Sequence, residues 1–192
     1  MMTRLWLVRH GPTHAKSMIG WTDLPADLSD AAQIARLHAH LPAGAVLQSS
    51  DLIRATATAD ALAQGRHRLP HDPALREIHF GAWEQRSFAE IDAEAPDHIR
   101  AFWETPGDVA APDGESWNDL RARIGAAITA LTQTHQGDII VVAHFGAILA
   151  AVQHATGIST AEALSHKIDN LSVTRLDLGP SGWMLHQINH LP

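Results

Sequence analysis

Leu5-Trp6-Leu7-Val8-Arg9-His10-Gly11 is a short apolar run that ends abruptly in two cationic or titratable residues and a glycine. Uninterrupted apolarity over so few residues fits a strand buried on both faces, as in a parallel sheet covered by helices. Ile139-Ile140-Val141-Val142-Ala143-His144 repeats the form with β-branched residues after a Gly137-Asp138 turn, and it too ends in histidine. Val46-Leu47-Gln48 offers a third strand. Val173 to Leu178 and Trp183 to Ile188, joined through Gly179-Pro180-Ser181-Gly182, read as two C-terminal strands.

Helical patterns fall between these runs. Ser29 and Asp30 can cap a helix from Ala31 to Leu41 that Pro42 stops, and Ser50 or Asp51 can cap another from Leu52 to about Gln64. From Ser116 to about Gln136, Trp117, Leu120, Ile124, Ile128 and Leu131 recur at helical spacing until Gly137, and Phe145 to His154 follows the Ile139 strand directly. The alternation predicts an α/β fold: a three-layer α/β/α sandwich with a mainly parallel sheet, helices on both faces and right-handed crossovers. The segment from about 76 to 112 breaks the rhythm with Pro96, Pro106 and Pro112, and it reads as an inserted lid over the sheet edge. On this reading residues 1–192 form a single domain.

Composition narrows the function. A formal net charge of −7 argues against an electrostatic nucleic-acid binder, which needs surplus Lys and Arg to neutralise phosphates. The absence of cysteine excludes disulfides, thiolate chemistry and thiolate-bound metal centres. The N-terminal apolar run is too short for a signal peptide or a membrane span, so a cytoplasmic protein without membrane contact is expected. Oligomeric state leaves no trace in the sequence.

In a doubly wound sheet, ligands bind outside the carboxyl ends of the strands. If the two histidine-ending strands are parallel neighbours, His10 and His144 reach the same rim. Arg9 precedes His10, and Arg54 falls in the first turn of the helix after Val46-Leu47-Gln48, where unpaired N–H groups and the helix dipole already favour anions. Two arginines, two histidines and a helix start make a pocket for a tetrahedral dianion, and phosphate fits it best. Phosphoryl transfer spreads charge over three equatorial oxygens, which Arg9, Arg54 and a protonated His144 would stabilise. A neutral His10 would attack in line, one ring nitrogen free and the other held by an acceptor such as a backbone carbonyl. The leaving alkoxide then needs a proton from a carboxylic acid, which can afterwards take one from water. Glu77 and Glu84, both in the aromatic-rich stretch Leu75 to Glu84, are the candidates, and composition does not separate them.

Six blocks in order then match a known family. Leu7-Val8-Arg9-His10-Gly11-Pro12-Thr13, Gly20-Trp21-Thr22-Asp23, Ser49 to Ala59, Leu75-x-Glu77-x-x-Phe80-Gly81-x-Trp83-Glu84, Asp113-Gly114-Glu115-Ser116 and Val141-Val142-Ala143-His144 resemble the histidine phosphatase superfamily, on its phosphoglycerate-mutase-like branch. The resemblance spans nearly the whole chain. It implies that His10 is the phosphorylated nucleophile, that Arg9, Arg54 and His144 hold the phosphoryl oxygens, and that Glu77 is the proton donor. The expected substrate-binding set is Arg9, Gly11, Thr13, Lys16, Trp21, Thr22, Arg54 and Phe145, and the resemblance implies no cofactor and no metal. Lys16 stands where many relatives carry Asn, Ala32 where a helix-start Gly is usual, and Phe145 where Gly commonly follows the second histidine; Lys16 and Phe145 therefore bear on substrate choice.

The chain is shorter than the cofactor-dependent mutases, and no basic cluster between Gln85 and Pro112 offers to hold a second phosphate. The expected activity is hydrolysis of a small phosphorylated metabolite. Phosphoglycerate-mutase-type transfer is the enzymatic alternative, and a non-catalytic phospholigand-binding module the alternative from another class. His38 with His40 and His186 with His190 lack carboxylate company and read as ordinary surface histidines rather than metal pairs.

Overall fold

The computed structural model describes residues 2–192; Met1, the first residue of the expected 1–192 domain, lies outside the described residues. Six strands, β1 (Thr3–Arg9), β2 (Val46–Ser49), β3 (His67–Arg68), β4 (Asp138–Ala143), β5 (Val173–Gly179) and β6 (Gly182–His190), form one sheet in the order β3-β2-β4-β1-β5-β6. The first four in that order are mutually parallel, whereas β5 runs antiparallel to β1 and β6 antiparallel to β5. Seven α-helices accompany them: α1 (Ala31–His40), α2 (Ile53–Ala61), α3 (Phe88–Glu94), α4 (Pro96–Glu104), α5 (Trp117–Thr134), α6 (Phe145–Thr156) and α7 (Thr160–Ser165).

The unbroken apolarity of β1 and β4 follows from burial on both sides. Successive side chains of a strand point to opposite faces. Leu5, Leu7, Ile139 and Val141 accordingly join one core cluster with Leu120, Ile124 and Ile128 of α5 and Leu149 of α6. Trp6, Val8, Ile140 and Val142 join a second with Leu37 of α1 and Ala55 and Ala59 of α2. Two cores on two faces make the three-layer α/β/α sandwich expected from the sequence.

Local rules place most helix ends. Ser116 and Asp119 form a reciprocal capping box at the start of α5, and Gly137 (φ 85°) turns the chain into β4. At α2 the expected capping fails. The N-cap is Leu52, without a side-chain bond, and the Ile53 N–H is satisfied instead by Asp23 Oδ1 at 2.7 Å, thirty residues upstream. Asp51, one of the two expected caps, pairs with Arg76 at 2.5 Å instead.

Strand β3 and helix α7 were not foreseen, being two and six residues long. The stretch read as an insertion holds a 3-10 turn at Gly81–Trp83, α3 and α4. Its Trp83, Ile91, Ile99 and Phe102 are buried within the α5–α6 core cluster, so the segment is welded to that core rather than resting over it.

Candidate active site

Strands β1 and β4 pair in parallel with Arg9 opposite Ala143, so the next residue of each, His10 and His144, emerges at the same rim. Their rings lie 5.0 Å apart between centroids. His10 is fixed by its backbone: its N–H donates to the Ala143 carbonyl at 3.1 Å, and its own carbonyl accepts from Asn170 Nδ2 at 2.8 Å. Its Nδ1 lies 2.6 Å from the Gly11 carbonyl, an acceptor only, so Nδ1 carries the hydrogen and Nε2 keeps its lone pair. Burial, followed by the nearby Arg54 and Arg9 cations, lowers the His10 pKa to about 3 against the pull of the Gly11 bond. The imidazole is neutral at physiological pH.

Arg54 is 1% exposed, on the first turn of α2. Its Nε–H points at His10 Nε2 from 3.2 Å, while its terminal nitrogens donate to the carbonyls of Thr22 (2.9 Å) and Gly20 (2.5 Å). Arg9 donates from one terminal nitrogen to the Ile168 carbonyl at 2.6 Å, and its guanidinium sits 5.5 Å from the Phe145 ring centre. Burial pulls both guanidinium pKa values down from their ordinary range, and the Glu77 carboxylate opposes the shift.

His144 is fully buried, and neither ring nitrogen has a hydrogen-bond partner among the described residues. The Arg9 Nε is likewise buried without a partner. Such groups are costly unless satisfied. The protonated His144 expected from sequence is not what this environment favours. Burial, then His10, Arg54, Arg123 and Arg9, push its pKa well below the usual imidazole range, so it is a neutral single N–H donor here. An adjacent dianion acts in the opposite direction.

Glu77 and Glu84, indistinguishable by composition, have different surroundings. Glu77 lines a polar cavity of about 140 Å³ with Arg9, His10, Thr13 and Arg54. Its two carboxylate oxygens accept from the backbone N–H groups of Ile78 (2.9 Å) and Gly146 (3.0 Å). Its carbonyl accepts from Trp21 Nε1 and Arg123. Glu84 accepts from the N–H groups of Gly20, Trp21, Thr22 and Phe80 and from the Thr22 hydroxyl, all at 2.6–3.2 Å. Burial pushes Glu84 up, but these donors bring its pKa below the usual carboxylate value. Its bonding capacity is spent on the 20–22 turn.

The sequence-predicted binding set divides in the same way. Thr13 lines the polar cavity, and so do Ala15, Ser17 and Ile19, which sequence reasoning missed. Lys16, between Ala15 and Ser17, is exposed and is not part of that lining. Trp21 and Thr22 are not in it either: Trp21 packs on His79 (4.4 Å between ring centres) and beside Arg76, and the Thr22 side chain serves Glu84. Gly11 donates its N–H to Thr58 Oγ1 at 3.0 Å, which anchors the turn to α2. Phe145 lines an adjoining apolar cavity rather than the polar one. Asn170 and the Ile168 carbonyl were also missed, although β5 begins where β1 ends because the two are antiparallel, so the Asp169-Asn170 turn had to reach this rim. Among the described residues, no group of three or more His, Asp or Glu is placed to hold a metal ion. Among the described residues, no helix is long and apolar enough to cross a membrane.

Known proteins are similar to this chain in sequence and fold. The chain is 27% identical over 190 residues to the "Probable phosphoglycerate mutase GpmB" of Proteus mirabilis, covering 95% of this chain and 88% of that one. A mycobacterial glucosyl-3-phosphoglycerate phosphatase superposes with a TM-score of 0.87 at 27% identity, covering 98% and 99% of the two chains. The alpha-ribazole phosphatase of Shigella flexneri has the same fold, with a TM-score of 0.84 at 24% identity and coverage of 97% and 96%. The model of the histidine phosphatase superfamily (branch 1) matches residues 5–191, and the chain is an enzyme of that family.

Proposed function

We propose that the protein is a phosphatase that hydrolyses a small phosphomonoester through a covalent phosphohistidine on His10. One observation carries this reading: buried hydrogen-bonding atoms of Arg9 and His144 that lack partners flank a His10 whose Nε2 bears the ring's lone pair and meets only the Arg54 Nε–H. A tetrahedral phosphoryl group would satisfy them together.

In the first step His10 Nε2 attacks phosphorus as the ester P–O bond breaks. Arg9, the Nε–H of Arg54 and the N–H of His144 take the charge on the equatorial oxygens, and Thr13 adds a hydroxyl at the cavity wall. Arg54 gives up its bond to His10 for one to phosphate. Glu77, oriented by Ile78 and Gly146, carries the proton that passes to the leaving oxygen. In the second step water attacks phosphorus, its proton goes to the Glu77 carboxylate, and the N–P bond breaks to release inorganic phosphate and the original imidazole.

Hydrolysis is favoured over mutase transfer because the basic residues of the 85–112 segment are already neutralised. Arg86 pairs with Glu94 at 2.7 Å and Arg100 with Asp92 at 2.9 Å. Phosphate release from phosphosugars, nucleotides, phosphoglycerates and α-ribazole phosphate, with chelator present, tests the proposal. Turnover should persist under chelation and vanish in His10→Ala, and the native protein should form an acid-labile phosphoenzyme. Turnover surviving His10→Ala would overturn the mechanism, and binding without any turnover would favour a phospholigand-binding module.

A further inference from the structure

A second cavity adjoins the polar one, and its walls differ in kind. It measures about 60 Å³ and lies between Phe80, Phe102, Trp103, Trp117, Phe145 and Leu164. Three of those rings pack on one another, with Phe102 and Trp103 5.0 Å and Phe80 and Phe102 6.2 Å apart between centroids. Trp117 turns its polar end away, donating Nε1–H to Gln153 at 2.8 Å. Glu77 lines this cavity and the polar one alike. Among the described residues no cationic side chain joins the apolar lining.

We infer that this cavity receives the leaving group, and that the substrate is a phosphomonoester of an apolar alcohol, aromatic or similarly flat. The inference rests on the phosphatase reading in one respect, that Glu77 protonates the leaving oxygen. A donor must lie within hydrogen-bond reach of the atom it protonates, so the body of the alcohol begins beside Glu77. Apart from Glu77 the lining of this cavity shares no residue with the polar one and is mostly aromatic. A polyol or sugar there would lose water from several hydroxyls with Glu77 as the one polar side chain to receive them, at a cost for each. A second phosphate or a carboxylate would meet no cation. An aromatic ring would gain burial and edge or face contacts instead. Trp103, 42% exposed, stands where the wall meets solvent and would be covered by such a group.

Two series that differ only in the apolar body test this separately from the chemistry. Binding of 2-phenylethylphosphonate and ethylphosphonate, which cannot be hydrolysed, is measured by calorimetry. Phosphate release is measured from 2-phenylethyl phosphate, ethyl phosphate and glycerol 3-phosphate, alkyl esters whose leaving groups are similar in acidity. The phenylethyl compounds should bind at least tenfold tighter and turn over with at least tenfold higher kcat/KM than their ethyl counterparts, and glycerol 3-phosphate should be poorest. Trp103→Asp and Leu164→Asp should each bring the phenylethyl-to-ethyl ratio towards one, a readout independent of how much protein folds. A native binding ratio near one, or preference for glycerol 3-phosphate, would overturn the apolar subsite. Absence of phosphate release with the binding preference intact would overturn only the phosphatase reading.

Discussion

Glu84 and Arg54 grip the same three-residue turn from opposite sides. The carboxylate collects the N–H groups of Gly20, Trp21 and Thr22, and the guanidinium donates to the carbonyls of Gly20 and Thr22. The turn fits only because residue 20 is glycine, since a Cβ there would stand 2.0 Å from the Ile78 carbonyl oxygen. A carboxylate outside the lining of the polar cavity thus determines where the buried Arg54 points.

Glu84→Gln should therefore impair catalysis at a distance. The amide NH2 would face N–H donors it cannot accept from, costing about 2 kcal/mol of stability, and Arg54 would lose its fixed aim. Turnover should fall roughly 10–100-fold, the size associated with losing one preorganised donor. Denaturant midpoints and steady-state kinetics on the same preparations check both parts; a loss of stability at unchanged kcat would confine Glu84 to folding.

Gly146→Ala should separate stability from activity. Residue 146 lies in the first turn of α6, and a Cβ there would come within 2.5 Å of Glu77 Oε1. That oxygen is the mobile end of a side chain, so the carboxylate would swing away at small cost, and alanine favours the helix by up to ~1 kcal/mol. The variant should melt no lower than the native protein yet lose at least tenfold in kcat. Unchanged kcat would mean that the placement of Glu77 is immaterial.

Removing the proton from Glu77 predicts a dependence on the leaving group. Glu77→Gln should slow phenylethyl phosphate by roughly 10²–10⁴-fold, the usual range for general-acid assistance. Nitrophenyl phosphate, whose phenolate leaves without help, should be slowed far less in forming the phosphoenzyme. Equal losses on both esters in single-turnover measurements would remove Glu77 as the donor.

The buried neutral His10 makes stability depend on pH in a defined window. Its folded pKa lies at about 3, below the ordinary 6.5 of an unfolded imidazole. Between those values the unfolded chain binds a proton that the native state excludes, so stability present at neutral pH is lost as the pH falls. From pH 7 to 4.5 the loss from this group is roughly 2.5 kcal/mol. His10→Asn should remove it, and the stability difference between native and variant proteins should shift by that amount in favour of the variant over the same interval. A constant difference would mean that His10 titrates normally in the folded state.

The parts of the molecule legible in sequence were those in which one physical rule dominates. Burial on both faces wrote β1 and β4 as unbroken apolar runs, helical periodicity and Ser116 wrote α5, and the two strand-end histidines announced the rim. Residues governed by distant partners were not legible. Asp23 caps α2 from another segment, and β3 is two residues held by pairing with β2. Trp21 and Thr22 read as ligand contacts within a motif, and the sequence did not show that their side chains are held by Glu84, His79 and Arg76. Lys16 is exposed because the loop points Ala15 and Ser17 at the cavity instead. The choice between Glu77 and Glu84 required three-dimensional neighbours, because the two carboxylates differ in who donates to them and in which of them faces the polar cavity.

His10 also acts as a knot between remote parts of the chain. Its amide is tied to Ala143 and its carbonyl to Asn170, while the preceding residue, Arg9, exchanges backbone bonds with Leu171 and Ser172. The His10 imidazole is therefore aligned only after segments more than 130 positions apart have met, and such long-range closures belong to the slow steps of folding. Recovered phosphate release would serve as a clock for the completion of the sheet, lagging behind any optical signal from helices that form locally.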